Sequence, residues 1–175
     1  MSEPVSLRSL CAKFRGAGMP RPQRSSWGSI LTTALIAGGI VAGLAYATTH
    51  LSYVLLLGTF AASSLLTFAY PDSPFSQPRN TVLGHLLGTA AGLACLHGLG
   101  PEWWSAGLAV GLAIALMKAT RTVHPPASSN PLIVFAFKPG WSFLLFPTLA
   151  GAVLIVMVAL FVHNLRRPTR WPQYW

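Results

Sequence analysis

Two histidines, one arginine and two pairs of serines stand where an apolar chain has least room for them. His85 lies within "NTVLGHLLG" and His124 opens "HPPASSN", with no acidic residue in either stretch. An ionisable side chain inside a membrane segment is costly to bury and therefore marks a functional-site hypothesis. His124 precedes Pro125 and Pro126, so its own backbone must be extended, and its ring either lines an entry or hydrogen-bonds the loop. Arg79 stands directly before Asn80. Its planar fork of donors suits a planar monovalent anion, although the end of a loop is also where headgroup anchors sit. Ser63, Ser64, Ser128 and Ser129 add hydroxyl donors, and His97 and His163, near the ends of apolar runs, need no functional explanation. Cys11 and Cys95 are far apart and have no ligand company, so neither a metal nor a cofactor is expected.

These residue types point to a transporter or channel for a small inorganic anion. Asp72 and Glu102 fall near the surfaces of the membrane region, which leaves no carboxylate for a cation site. Two alternatives stand beside this reading. One is a regulatory or assembly protein with no pathway of its own. The other is an intramembrane hydrolase using Ser128 with His124, but an activated serine needs an aligned base, and two prolines disrupt the spacing. No enzyme activity is expected.

The elements that must position these residues follow from composition. The 175-residue chain is 53% hydrophobic and only 9% charged, which is the composition of a membrane protein. Residues 25–71 contain no Asp, Glu, Lys or Arg, enough for two crossings at about 20 residues each, with Thr48, Thr49 and His50 marking a turn. The net charge of +9 does not indicate nucleic-acid binding, because eight of the twelve basic residues lie in the two terminal segments. Such a distribution predicts a multi-pass protein of the cell (inner) membrane with both termini cytoplasmic. A basic segment over 1–28, with an interfacial helix around Leu7, Leu10, Cys11 and Phe14, is expected before the membrane region 29–165. A basic, aromatic tail follows over 166–175.

Two cytoplasmic ends require an even number of membrane elements. "ASSLLTFAYPDSPF" (62–75) and "ASSNPLIVFAFKPGWSF" (127–143) share Ala-Ser-Ser, an apolar run ending aromatic-Ala-aromatic, and a proline. This duplication predicts an all-α fold of about six elements as a 3+3 inverted repeat. The first repeat is 29–99, with elements at 29–47, 51–70 and 80–99, and the second is 103–163, with elements at 103–120, 127–137 and 143–163. Inverted repeats of this kind place substrate near the midplane at broken helices. Residues 131–137 cover only about 10 Å of a roughly 30 Å core, so "HPPASSN" must complete the crossing as a broken or re-entrant path. Ser128, Ser129 or Asn130 is expected to cap the half-helix, with Pro131 in its first turn and its N-terminus favouring an anion. Three stripes, Gly39/Gly43, Gly84/Gly88/Gly92 and Gly107/Gly111, read as close helix packing and offer faces for a homo-oligomer.

Gln77-Pro78-Arg79-Asn80, Gly84-His85-Leu86, Thr122 with His124-Pro125-Pro126-Ala127, and the closing "WPQYW" together resemble the HPP family of integral membrane proteins. The resemblance runs from about Gly28 to Trp175. It implies a multi-pass protein in a lipid bilayer, similar to plant-chloroplast and cyanobacterial nitrite transporters, and it supports Arg79 as a substrate contact. Ser128, Ser129 and Pro131 depart from the Gly and Ala that more often follow "HPPA" in the family.

Overall fold

In lipid every backbone N–H and C=O must bond within its own segment, so long uncharged apolar runs become helices. The computed structural model is all-helical and describes residues 20, 21, 23–51 and 58–175. Helix α1 is Trp27–Leu51, α2 is Gly58–Ala69, α3 is Pro78–Leu99 and α4 is Trp103–Ala119. After a 3-10 turn at Pro125–Ser129 come α5, Asn130–Phe137, and then α6, Ala150–Arg166. Among the described residues, three stretches are long and apolar enough to cross a membrane: Trp27–His50, Pro78–Leu99 and Trp141–Arg166. The expected interfacial helix lies outside the described residues.

The first crossing differs from expectation at its end, since the helix runs through Thr48, Thr49 and His50 rather than turning there. The physical reason is back-bonding. Thr48 Oγ1 donates to the Leu44 carbonyl at 2.8 Å and Thr49 Oγ1 to that of Tyr46 at 2.8 Å, so both hydroxyls are satisfied without leaving the helix. Helix α2 ends before Pro71, which has no N–H to offer the Thr67 carbonyl. His163 Nε2 on α6 supplies that hydrogen at 3.1 Å.

The break expected after His124 is present, and α5 at eight residues is about 12 Å long. A second break precedes α6, where a π turn at Leu145–Leu149 contains non-helical Phe146. The expected side-chain cap on the half-helix is not formed. Ser128 Oγ donates to the Pro125 carbonyl at 2.7 Å, Ser129 is exposed, and the Asn130 backbone N–H is used within the 3-10 turn. The two Ala-Ser-Ser copies also differ locally, one lying inside continuous α2 and the other in the turn.

Helix α3 is central and packs against α4, α5, α6 and the 3-10 turn. The stripe Gly84/Gly88/Gly92 is the seat of the broken crossing. A Cβ on Gly84 would lie 2.7 Å from His124 Cβ, one on Gly92 would lie 2.8 Å from Pro131 Cα, and one on Gly88 would overlap the Ala127 carbonyl oxygen. At the other two stripes an added Cβ would meet no atom of the described residues within 4 Å. Exposed Trp103, Trp104 and Trp141 share one end of the bundle, where Trp141 stacks on His97. At the other end the closing segment folds back: Trp171 is buried and donates to the Pro71 carbonyl at 3.0 Å, while Arg167 pairs with Asp72 at 2.7 Å.

Candidate functional site

His85 and His124 meet at Ser63. Helix α3 carries His85 inward, and extended backbone at His124 swings its ring over Gly84, leaving the two ring centroids 5.1 Å apart. Ser63 Oγ lies 2.9 Å from His85 Nε2, 2.8 Å from His124 Nε2 and 2.8 Å from the Thr59 carbonyl one turn back. All three side chains are fully buried. Phe60 packs edge-on against His85 at 5.0 Å and fits the notch left by Gly151.

The contacts continue in both directions. His124 Nδ1 donates to the Phe75 carbonyl at 2.7 Å. On the other side, Asn130 Nδ2 reaches His85 Nδ1 at 3.0 Å, the His85 carbonyl at 3.2 Å and Thr89 Oγ1 at 2.9 Å. The His85 carbonyl accepts only, which sets the amide with nitrogen toward it. Thr89 in turn meets Thr148 at 3.1 Å, next to the second helix break. A buried polar chain therefore runs from the Phe75 loop through α2, α3 and α5 to the segment entering α6.

Beside it stands a column of hydroxyls. Thr59, Ser63 and Thr67 recur every fourth residue along α2, so they share one face and span about 12 Å. Thr59 Oγ1, Ser64 Oγ, Thr67 Oγ1 and Thr81 Oγ1 are buried with no hydrogen-bond partner among the described residues, and so is Asn130 Oδ1. Buried polar groups are normally paired, so each of these calls for a partner. At the Thr59 end of the column a groove of about 400 Å³ reaches Thr59, Pro126 and Ser129, its remaining walls being apolar, with Leu132, Ile133 and Phe137. Beyond Thr67 a cavity of about 510 Å³ is lined by Thr32, Phe68, His163, Asp72 and Arg167, among others.

The expected site residues thus separate into two groups. His85, His124, Ser63 and Asn130 come together, while Ser64, the next residue along α2, is buried with no hydrogen bond to them. Arg79 does not join them: its guanidinium donates to the carbonyls of Thr120 at 3.2 Å and Arg121 at 3.4 Å, where α4 ends. Carbonyls at a helix C-terminus attract a cation, which accounts for that placement. Asn80 Nδ2 donates to the Val123 carbonyl at 2.9 Å and so holds the approach to His124. Gln77 bonds the Pro71 and Ser73 carbonyls and accepts from the Gln173 N–H, and Pro78 opens α3. Ser128 and Ser129 stay at the turn, and Pro131 lies against Gly92. Thr59, Thr67, Thr89, Thr148 and the Phe75 carbonyl are additions. A four-residue step from Ser63 and from His85 reaches the first three, whereas nothing local marks the last two. No third His, Cys, Asp or Glu joins the histidine pair among the described residues.

Residues 19–172 match the family description "HPP, transmembrane region". Two transmembrane proteins of Dictyostelium discoideum are similar to the chain, at 37% identity over 128 residues and 35% over 130 residues. These matches cover 69% and 70% of this chain but 45% and 42% of the relatives, so the chain spans less than half their length. No solved structure matches.

Proposed function

The chain belongs to the HPP transmembrane family, and from that membership and the geometry above we propose that it carries a small inorganic anion, nitrite foremost, across the bilayer. The observation that carries this reading is the buried column Thr59, Ser63, Thr67, placed between a groove at one end and a cavity at the other. Hydroxyl hydrogens without acceptors suit a ligand that brings lone pairs and no hydrogens. Hydroxyl oxygens can also accept, so the preference for an anion over a cation rests on no described carboxylate being free to join these four hydroxyls. Of the described carboxylates, Asp72 is paired with Arg167 and Glu102 borders the loop before α4, so neither competes for the site. Nitrite is preferred because it is monovalent, planar and small enough to pass between serine-sized side chains, and because the family resemblance points the same way.

The test is nitrite uptake into proteoliposomes, measured against protein-free vesicles. Uptake above that baseline is expected, reduced strongly by Thr67→Val, which removes the hydroxyl and keeps the volume, and unchanged by Thr120→Val at the end of α4. No uptake above baseline would leave an assembly or regulatory role in its place. One specific contact supports a further alternative. Ser63, His124 and the Phe75 carbonyl have the order of nucleophile, base and orienting group. Labelling of the native protein by a serine-reactive probe, abolished in Ser63→Ala, would favour hydrolysis instead.

A further inference from the structure

We propose that the His85–Ser63–His124 bridge takes up one proton together with the transported anion, so that the two cross as a neutral pair. This rests on the transport reading and adds the coupling ion. It follows from counting hydrogens. Five contacts involve these three side chains: Asn130 Nδ2 to His85 Nδ1, His85 Nε2 to Ser63, His124 Nε2 to Ser63, Ser63 to the Thr59 carbonyl, and His124 Nδ1 to the Phe75 carbonyl. Each needs one hydrogen. An amide nitrogen cannot accept, so His85 Nδ1 does: one of the two Asn130 Nδ2 hydrogens fills the first contact, and the other is left for the His85 carbonyl or Thr89. The single N–H of a neutral His85 therefore lies on Nε2 and fills the second. A carbonyl only accepts, so the single N–H of a neutral His124 lies on Nδ1 and fills the last. One hydroxyl hydrogen then remains for two contacts. Ser63 either donates to Thr59 and leaves His124 Nε2 bare, or turns to His124 and leaves Thr59 unpaired.

One added proton removes the conflict. Bound at His124 Nε2 it donates to Ser63, which accepts from both rings and gives its own hydrogen to Thr59, and all five contacts become hydrogen bonds. The chemistry balances simply: one N–H bond forms on uptake and the same bond breaks on release. The cost is a buried positive charge, which needs a partner. No described carboxylate supplies it. Asp72 is tied to Arg167, Glu102 lies at the loop before α4, and the basic groups around the cluster, Arg79 and His163, face the carbonyls of Thr120 and Arg121 and of Thr67. A monovalent anion among the free hydroxyls of Ser64 and Thr67 is the matching counter-charge, so proton and anion favour each other's binding.

The experiment loads proteoliposomes with a pH dye, imposes an inward nitrite gradient and clamps the membrane potential with potassium and valinomycin. Protein-free vesicles give the baseline for nitrous acid leak. The native protein is expected to acidify the lumen as nitrite enters, at a rate that does not follow the clamped potential. Ser63→Ala should lose the acidification, and Ser63→Thr, which keeps the hydroxyl, should retain it. Nitrite entry without acidification, at a rate that follows the potential, would overturn the coupling and leave the transport reading standing. No nitrite entry would overturn both. A measurement on the native protein alone guards against misfolded variants: calorimetric titration with nitrite, in two buffers of different ionisation heat at neutral pH, should show one proton taken up per anion bound. Binding with no uptake would overturn the proposal.

Discussion

Gly88→Ala tests whether the broken crossing is held where the structure places it. The added Cβ would overlap the Ala127 carbonyl oxygen, while Asn130 Cβ would be 3.4 Å away. A backbone carbonyl cannot rotate aside as a side chain can, so α3 and the 3-10 turn must separate. Asn130 is the first residue beyond that turn, and its amide bonds to His85 Nδ1 and Thr89 at 3.0 and 2.9 Å have little length to spare. Overpacking typically costs about 1–3 kcal/mol, and each weakened hydrogen bond adds about 1 kcal/mol. Against this, Ala favours the helix by about 1 kcal/mol. The net expectation is a loss of about 2–4 kcal/mol. Gly111→Ala is the control, because nothing lies within 4 Å of the new atom, and it should gain up to about 1 kcal/mol from helix propensity. Reversible denaturation in mixed micelles measures both variants. Equal stabilities for the two would mean that the HPP turn does not rest on the glycine stripe, and the joining of His124 to His85 would fall with it.

Arg79→Gln separates an anion contact from a helix cap: loss of about 0.5–1 kcal/mol of stability is expected from the end of α4, with nitrite affinity unchanged in concentration-dependent uptake. A drop in affinity at unchanged stability would return Arg79 to the anion path. Replacing Pro125 and Pro126 together by Ala should lower uptake while folded yield, followed by size-exclusion chromatography, is largely kept, because an ordinary helix can then extend through the turn. Trp171→Ala should cost about 3–5 kcal/mol in the same micelle denaturation, because the ring is buried and its indole N–H bonds the Pro71 carbonyl.

Much of this was legible in the residues. Uncharged runs marked the long helices, and seven apolar residues after "HPPASSN" were too few to cross, which located the break. His85, placed inside a span with no carboxylate near it in sequence, was the strongest pointer to the site. Three things were hidden for a common reason: sequence shows which groups are polar but not which partners they will find. Thr48 and Thr49 read as a turn because their hydroxyls need acceptors, and carbonyls of the same helix supply them. Arg79 read as a substrate contact because its charge needs a counterpart, and the end of a distant helix provides it. His163 read as an ordinary residue near a span end, yet the missing N–H of Pro71 gives it a buried acceptor 96 positions away. Thr148 could not be found from spacing, since its link to Thr89 depends on how α6 enters the bundle.

The two breaks and the polar chain belong together physically. Non-helical backbone at membrane depth is tolerated only against protein or a water-filled cavity, and α3, the most buried of the three long apolar stretches, provides the protein. Asn130 stands directly after the first break and Thr148 two residues after the non-helical residue of the second, and both bond Thr89 on α3. The α5 arm and the approach to α6 are therefore latched to one threonine. On the transport reading, an anion moving along α2 needs the α5 arm to give way at Ser63, because His124 bonds Ser63 and Asn130 holds its other ring partner, His85. Moving the arm breaks the Asn130 bonds to His85 and Thr89 and frees His85 Nδ1 at the same moment that His124 leaves Ser63. Opening the path and exchanging the proton then become one event, which is the condition for coupled transport rather than for a passive pore.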